Sequence, residues 1–312
     1  MTNLRADNAP FAVGVAVIAL LALSLGDAMI KHFSWRFTLW QIFTMRSLLV
    51  LPALLVIMLE LRRRGKMASP MPRAPGWIAL RGLLFAAAGV IYFASLPNLP
   101  FSTAAAVVNT VPLFVICFAM LLGGERVPKT VRIAVALGFT GVLLIIRPGP
   151  AGFNFYALPV LLAAAFYALA MVVTRIRCRA ENPYTLALGM HLAFIAVGAV
   201  MSGVIKAAGI AEPAAPAAKF LFADWRAPAM DDVLILAALG GAFAVYTVGI
   251  ALAYQRAPAA TIAPFEYTYL ASGLLWGYLL FAERPGILAL LGMSLIVAGG
   301  LTVIKHQARG RI

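Results

Sequence analysis

Residues 92–147 can be laid on residues 250–305 without a gap, and both stretches are almost wholly apolar. Pro100 then falls on Pro258, Thr103 on Thr261, Glu125-Arg126 on Glu283-Arg284 and Gly141 on Gly299. An apolar segment that repeats itself leaves one kind of solution: a duplicated bundle of membrane helices. That is the sequence mark of carriers whose two halves move against each other around a central site.

Composition sets the solvent. Apolar residues make up 63% of the 312-residue chain and charged residues 12%, against roughly 45–50% and 25% in soluble domains. Apolar runs of about 18–24 residues recur, and about 20 residues cross a bilayer as a helix. Hydropathy predicts an all-α integral membrane protein with ten transmembrane helices, near 11–30, 38–61, 76–97, 100–122, 129–147, 154–176, 183–206, 230–254, 258–281 and 285–305. The first run lacks an A-x-A cleavage signal and is read as the first membrane helix.

The net charge of +14 does not point to nucleic acid. Its Lys and Arg residues lie between the apolar runs, where they act as topology signals. Placing the amino terminus inside puts most of them, including Arg62, Arg63, Arg64, Lys66, Arg175 and Arg177, on the cytoplasmic side. Both termini are then cytoplasmic, in a bacterial inner membrane. The one long connection, around 206–232, is rich in Ala and Pro and is expected to be a mobile crossing with little structure.

The repeat extends more weakly to the earlier spans. "DAMIKH" ending span one lies near "LAMVVT" in span six, and "FTLWQIF" opening span two resembles "YTLALGM" opening span seven. The chain divides into a first five-helix repeat, 1–150, and a second, 151–312, forming one integrated membrane domain. Five is odd, so the second repeat enters the membrane upside down relative to the first: an inverted repeat.

With Gly124-Glu125-Arg126 and Ala282-Glu283-Arg284 after the fourth span of each half, and a Gly-rich fifth span in each, the chain resembles the EamA-type branch of the drug/metabolite transporter superfamily. The likeness covers nearly the whole length and is greatest for bacterial aromatic amino-acid exporters. It implies a cavity built largely from spans three, six, eight and nine with one and four, and a small-molecule cargo.

Candidate site residues are those whose polarity is costly in a bilayer. Glu266, after Pro264 in span nine, could contact an ammonium group or carry a proton; a buried carboxylate bonded to a neighbouring helix is the plainer alternative. Arg46 in span two could neutralise a substrate carboxylate or pair with Asp27 or Glu266, as a gate or as a plain structural pair. Asp27 is expected as an interfacial partner of Lys31. Asn109, just before Pro112 in span four, occupies the place that Tyr267 holds in the second half; with Thr110 it lines a cavity or bonds between helices. His191 could relay protons or simply bond a neighbour. Tyr92, Tyr246, Tyr267, Tyr269 and Phe166 offer an aromatic wall suited to an amino-acid side chain, although ordinary packing accounts for most of them. Asp27, His191, Pro264 and Pro112 are the candidates for gating or coupling. Trp35, Trp40 and Trp77 read as interface anchors. Glu125 and Glu283 read as turn and interface pairs beside their arginines.

These readings make the chain a secondary transporter or facilitator that exports aromatic and other neutral amino acids by alternating access. A carrier of a nucleotide-like metabolite such as S-adenosylmethionine is the alternative within that class. A membrane scaffold or intramembrane enzyme is the alternative outside it, but no G-x-S-x-G, H-E-x-x-H or Walker loop is present. Neither a cofactor nor a metal site is expected, since Cys117 and Cys178 share no motif. The expected partners are the amino-acid substrate and membrane lipid. The expected state is a monomer, with Gly273-x-x-x-Gly277 as a face on which two copies could pair.

Overall fold

The computed structural model describes residues 9–65, 72–111, 113–114, 117–118, 121, 129–146, 155–178, 181–210, 213–256, 265 and 267–309. The regular elements among them are all helical: α1 (Ala9–His32), α2 (Leu39–Arg63), α3 (Pro75–Ser95) with a short 3-10 turn after it, α4 (Phe101–Val108), α5 (Lys129–Ile146), α6 (Ala157–Arg177), α7 (Pro183–Ala207), α8 (Pro216–Phe222), α9 (Met230–Arg256), α10 (Thr268–Phe281) and α11 (Ile287–Arg309). Each expected span overlaps one of these helices, although α4 covers only Phe101–Val108 of the fourth. Six stretches, on α1, α2, α3, α6, α7 and α9, are long and apolar enough to cross a membrane, and shorter apolar stretches lie on α5, α10 and α11.

Local chemistry sets the starts. The Thr38 hydroxyl accepts from the Gln41 N–H at 3.2 Å and opens α2. Asn182 accepts from the Tyr184 N–H at 2.9 Å ahead of Pro183 and opens α7. Such caps satisfy amide donors that a helix leaves free at its first turn. The end of α10 is less relaxed: Ala282 sits at φ 52, in the left-handed region, and the Glu283 N–H donates to Gly277 O at 3.0 Å. Glycine usually takes that position.

Packing is most extensive between α5 and α11, α1 and α9, α3 and α6, and α2 and α7. Smaller contacts join α3 to α7, α2 to α9, α1 to α10, α4 to α10 and α4 to α6. Lipid provides no hydrophobic drive between helices, so small residues that let backbones approach carry much of the association. A Cβ on Gly292 would lie 2.5 Å from Gly141 O, and one on Gly240 would lie 2.5 Å from Arg46 O.

The long connection departs from expectation. Instead of running free it forms α8, whose Phe220 is fully buried. Trp40 Nε1 donates to Leu221 O at 2.6 Å and Gln41 Nε2 to Arg226 O at 2.8 Å. Asp232, at the start of α9, pairs with Arg36 at 2.5 Å and Arg226 at 3.6 Å. Trp40 is accordingly buried, a fastening point and not an interface anchor, whereas Trp35 is exposed. The Ala/Pro composition hides the apolar "KFLF" run, which needs a place to bury.

Candidate functional site

The site begins with two charges that the membrane makes expensive. Asp27 on α1 and Arg46 on α2 are 8% and 2% exposed. Together with Ala22, Leu23 and Gly26 of α1 and Leu239 and Phe243 of α9, they line a cavity of about 10 Å³, the room of about one water molecule.

Asp27 is held by phenols. Tyr269 on α10 donates its hydroxyl to Asp27 Oδ2 at 2.7 Å, and the Tyr269 and Tyr92 hydroxyls lie 2.9 Å apart. The chain Tyr92–Tyr269–Asp27 thus ties α3, α10 and α1 together. This corrects the expected pairing of Asp27 with Lys31. Lys31 sits one helical turn, about 6 Å, nearer the helix end, and its long stem carries the ammonium on to Glu283 at 3.0 Å and Leu99 O at 2.7 Å.

Arg46 lies in an aromatic box. Its guanidinium carbon is 4.4 Å from the ring centroid of Phe243, 5.0 Å from Phe194, 5.1 Å from Phe43 and 5.9 Å from Phe93. Ring faces attract a cation within about 6 Å. Arg46 Nε and Nη2 have no hydrogen-bond partner, and neither does either nitrogen of His191. The His191 ring is fully buried edge-on against Phe243, with centroids 5.5 Å apart. No hydrogen-bonded chain therefore reaches His191 in this conformation.

The other candidates divide. The Tyr246 hydroxyl forms a short hydrogen bond with that of Tyr167. Tyr167 in turn packs edge-on against Phe85, over which Arg81 lies at 4.7 Å. Phe166 is half-buried, as is its neighbour Tyr167, and it is Tyr167 that bonds Tyr246. Asn109 turns back on its own helix, donating to Ala105 O at 2.7 Å. Tyr267 donates to Ile296 O of α11 at 3.4 Å. Glu266, Pro264, Pro112 and Glu125 lie outside the described residues. The residues that sequence reasoning missed are the box rings and Tyr167. One signal was present: Phe43 precedes Arg46 by three residues, a spacing that puts both on one face of a helix.

A second polar cluster lies near the α1–α2 turn. Helix α4 starts after Pro100, which has no side chain to cap it. The Glu283 carboxylate supplies the cap, accepting from the Phe101 N–H at 2.6 Å, the Ser102 N–H at 2.9 Å and the Ser102 hydroxyl at 2.8 Å. Lys31, 4.6 Å from the Phe281 ring centroid, completes the cluster. Burial pushes the Glu283 carboxyl upward, but hydrogen bonds from Ser102 and Phe101 and the Lys31 charge outweigh it and hold the group below its ordinary range. Glu283 thus takes Lys31 and a helix end as its partners, where its neighbour Arg284 was expected.

A model of the EamA-like transporter family matches residues 10–147. The riboflavin transporter of Rhizobium johnstonii is 32% identical over 234 residues, covering 75% of this chain and 72% of the relative. The pseudopaline exporter CntI of Pseudomonas aeruginosa is 26% identical, covering 94% and 95%. An S-adenosylmethionine uptake transporter of Rickettsia bellii is 22% identical, covering 95% and 94%. None of these three is named for an aromatic amino acid. One crystal structure shares the fold across 96% of this chain and 99% of its own, with a TM-score of 0.57 at 22% identity.

Proposed function

The chain belongs to the EamA-like transporter family of the drug/metabolite transporter superfamily, a multi-pass bacterial membrane transporter, and on that premise we propose that it exports neutral amino acids, aromatic ones included, across the inner membrane by alternating access. The carrier is a monomer of ten membrane helices, needs no cofactor, catalyses no covalent reaction, and keeps both termini in the cytoplasm.

The observation that carries this reading is a buried acid and a buried base facing one cavity where α1 and α2 meet α9. A carboxylate and a guanidinium inside a lipid-embedded bundle are retained for a task. The aromatic surroundings suit a cargo with a small apolar body and polar ends.

Packing supports two halves related by a two-fold axis. Exchange α1 with α6, α2 with α7, α3 with α9, α4 with α10 and α5 with α11. The contact α1–α9 then becomes α3–α6, α3–α7 becomes α2–α9, and α1–α10 becomes α4–α6. The contacts α2–α7, α4–α10 and α5–α11 map onto themselves. The alignment that sets Gly141 on Gly299 also sets Ala134 on Gly292. A Cβ on Gly141 would lie 2.4 Å from Gly292 O, and one on Gly299 would lie 2.6 Å from Ala134 O, so these two close approaches exchange as well. Halves 1–150 and 151–312, inverted with respect to each other, account for this pattern.

The test is flux of labelled neutral amino acids through the purified protein in liposomes, without ATP, beside riboflavin and S-adenosylmethionine. Downhill movement of amino acids is the expected result. Movement of riboflavin or S-adenosylmethionine alone moves the cargo to what the relatives are named for. No flux of any compound favours a scaffold or an intramembrane enzyme. Glu266→Gln, assayed per folded molecule at several pH values, reads whether that carboxylate contributes to coupling; an unchanged profile removes it from the site.

A further inference from the structure

We propose that the cavity between Asp27 and Arg46 selects a zwitterion: Arg46 takes the carboxylate of the cargo and Asp27 its cationic end. The inference rests on the amino-acid reading above and names the chemistry that the site demands.

The argument starts from what Arg46 lacks. A guanidinium carries five N–H donors in one plane, a fork matched to the two oxygens of a carboxylate. Here Nε and Nη2 are buried without a hydrogen-bond partner. The four surrounding phenyl rings attract the positive charge, but a hydrocarbon ring offers no oxygen to an in-plane N–H. A buried donor left unmade is costly, more so when charged. The box therefore keeps a cation in place with the directional bonds of two nitrogens unused, on a residue that lines the cavity.

Asp27 has complementary spare capacity. It accepts one hydrogen bond, from Tyr269 to Oδ2, whereas a carboxylate offers about four acceptor positions. Asp27 and Arg46 share the cavity wall and attract each other across it, but the Nε and Nη2 donors of Arg46 do not reach the carboxylate. His191, packed edge-on against Phe243 of the same box, carries no hydrogen bond to either. A solute with an ammonium and a carboxylate on one carbon satisfies both walls at once. A simple carboxylate leaves Asp27 without its counter-charge, and a simple amine leaves Arg46 unmet.

The experiment uses the full chain in proteoliposomes and four phenyl compounds of similar size: phenylalanine, phenylalanine amide, 3-phenylpropanoate and phenylethylamine, with riboflavin, which has no carboxylate, as a fifth. Phenylalanine is expected to move, with each of the other four slower by about tenfold or more, the scale of losing one partner of a buried charged hydrogen bond. Arg46→Gln should remove the advantage of phenylalanine over its amide, so that the ratio of the two rates falls to about one. If that variant fails to fold, the wild-type series decides alone. Phenylalanine amide moving as fast as phenylalanine overturns carboxylate selection and leaves the transport of amino acids standing. 3-Phenylpropanoate matching phenylalanine overturns the role of Asp27. Riboflavin moving while no phenyl compound does, or no flux at all, overturns both the cargo and the selection.

Discussion

Glu283 accepts the main-chain N–H of Phe101 at 2.6 Å from 182 residues away in the chain. The loop after α10 thereby caps the start of α4, and a single carboxylate joins it to α1 through Lys31. Helix caps are normally local. This one couples a secondary-structure end to the packing of three helices.

Glu283→Gln should therefore lower the thermal stability of the detergent-solubilised protein by about 1–2 kcal/mol, the scale of a lost cap. The pH dependence carries a definite sign. The Glu283 carboxyl titrates below its ordinary value of 4.5, so its contribution is present above that pH. It fades as pH falls through the depressed value, where the folded state must also take up the proton. Melting curves of wild type and variant should differ at neutral pH and converge in acid. A gap of the same size at every pH, acid included, would locate the loss elsewhere.

Ala282→Gly should stabilise. Ala282 holds φ 52, and a residue with a Cβ costs about 1–2 kcal/mol in the left-handed region. Gly124 stands at the matching place in the first half. A rise in melting temperature with unchanged expression is the expected outcome, and a fall would mean that the Ala282 methyl packs favourably.

Gly292→Ala should be poorly tolerated, because its new Cβ would lie 2.5 Å from Gly141 O. Helices α5 and α11 would have to separate, at a cost of about 1–3 kcal/mol for overpacking. Folded yield by fluorescence-detected size exclusion measures this. Gly203→Ala serves as the control, since nothing lies within 4 Å of the added atom.

Trp40→Phe removes the indole N–H that Leu221 O accepts at 2.6 Å while keeping an aromatic ring. Hydrogen exchange over Pro216–Phe222 should rise and exchange in the core of α2 should not. Equal protection in both proteins would mean that Phe220 alone anchors α8.

The helices were legible because bilayer length and hydropathy are properties of the sequence itself, and Thr38, Asn182 and Pro183 announce their helix starts locally. The partners of charged groups were not. Asp27 and Lys31 sit one turn apart, which invites pairing, but Tyr269 and Glu283 reach them from more than 240 positions away. The box around Arg46 draws rings from four helices, and spacing links only Phe43 to Arg46. Periodicity reports which face a residue occupies; it does not report what faces it. The α8 docking was hidden for the opposite reason, since seven residues are too few for a periodic signal.

The cavity at Asp27 and Arg46 has room for about one water molecule. Any larger solute that seats there must first be given space by movement of α1, α2 or α9, so binding and rearrangement form a single thermodynamic event. Its measured dissociation constant is then the intrinsic one divided by the fraction of molecules already opened. A mutation far from the cavity that only favours the opened form will tighten apparent affinity without touching the solute.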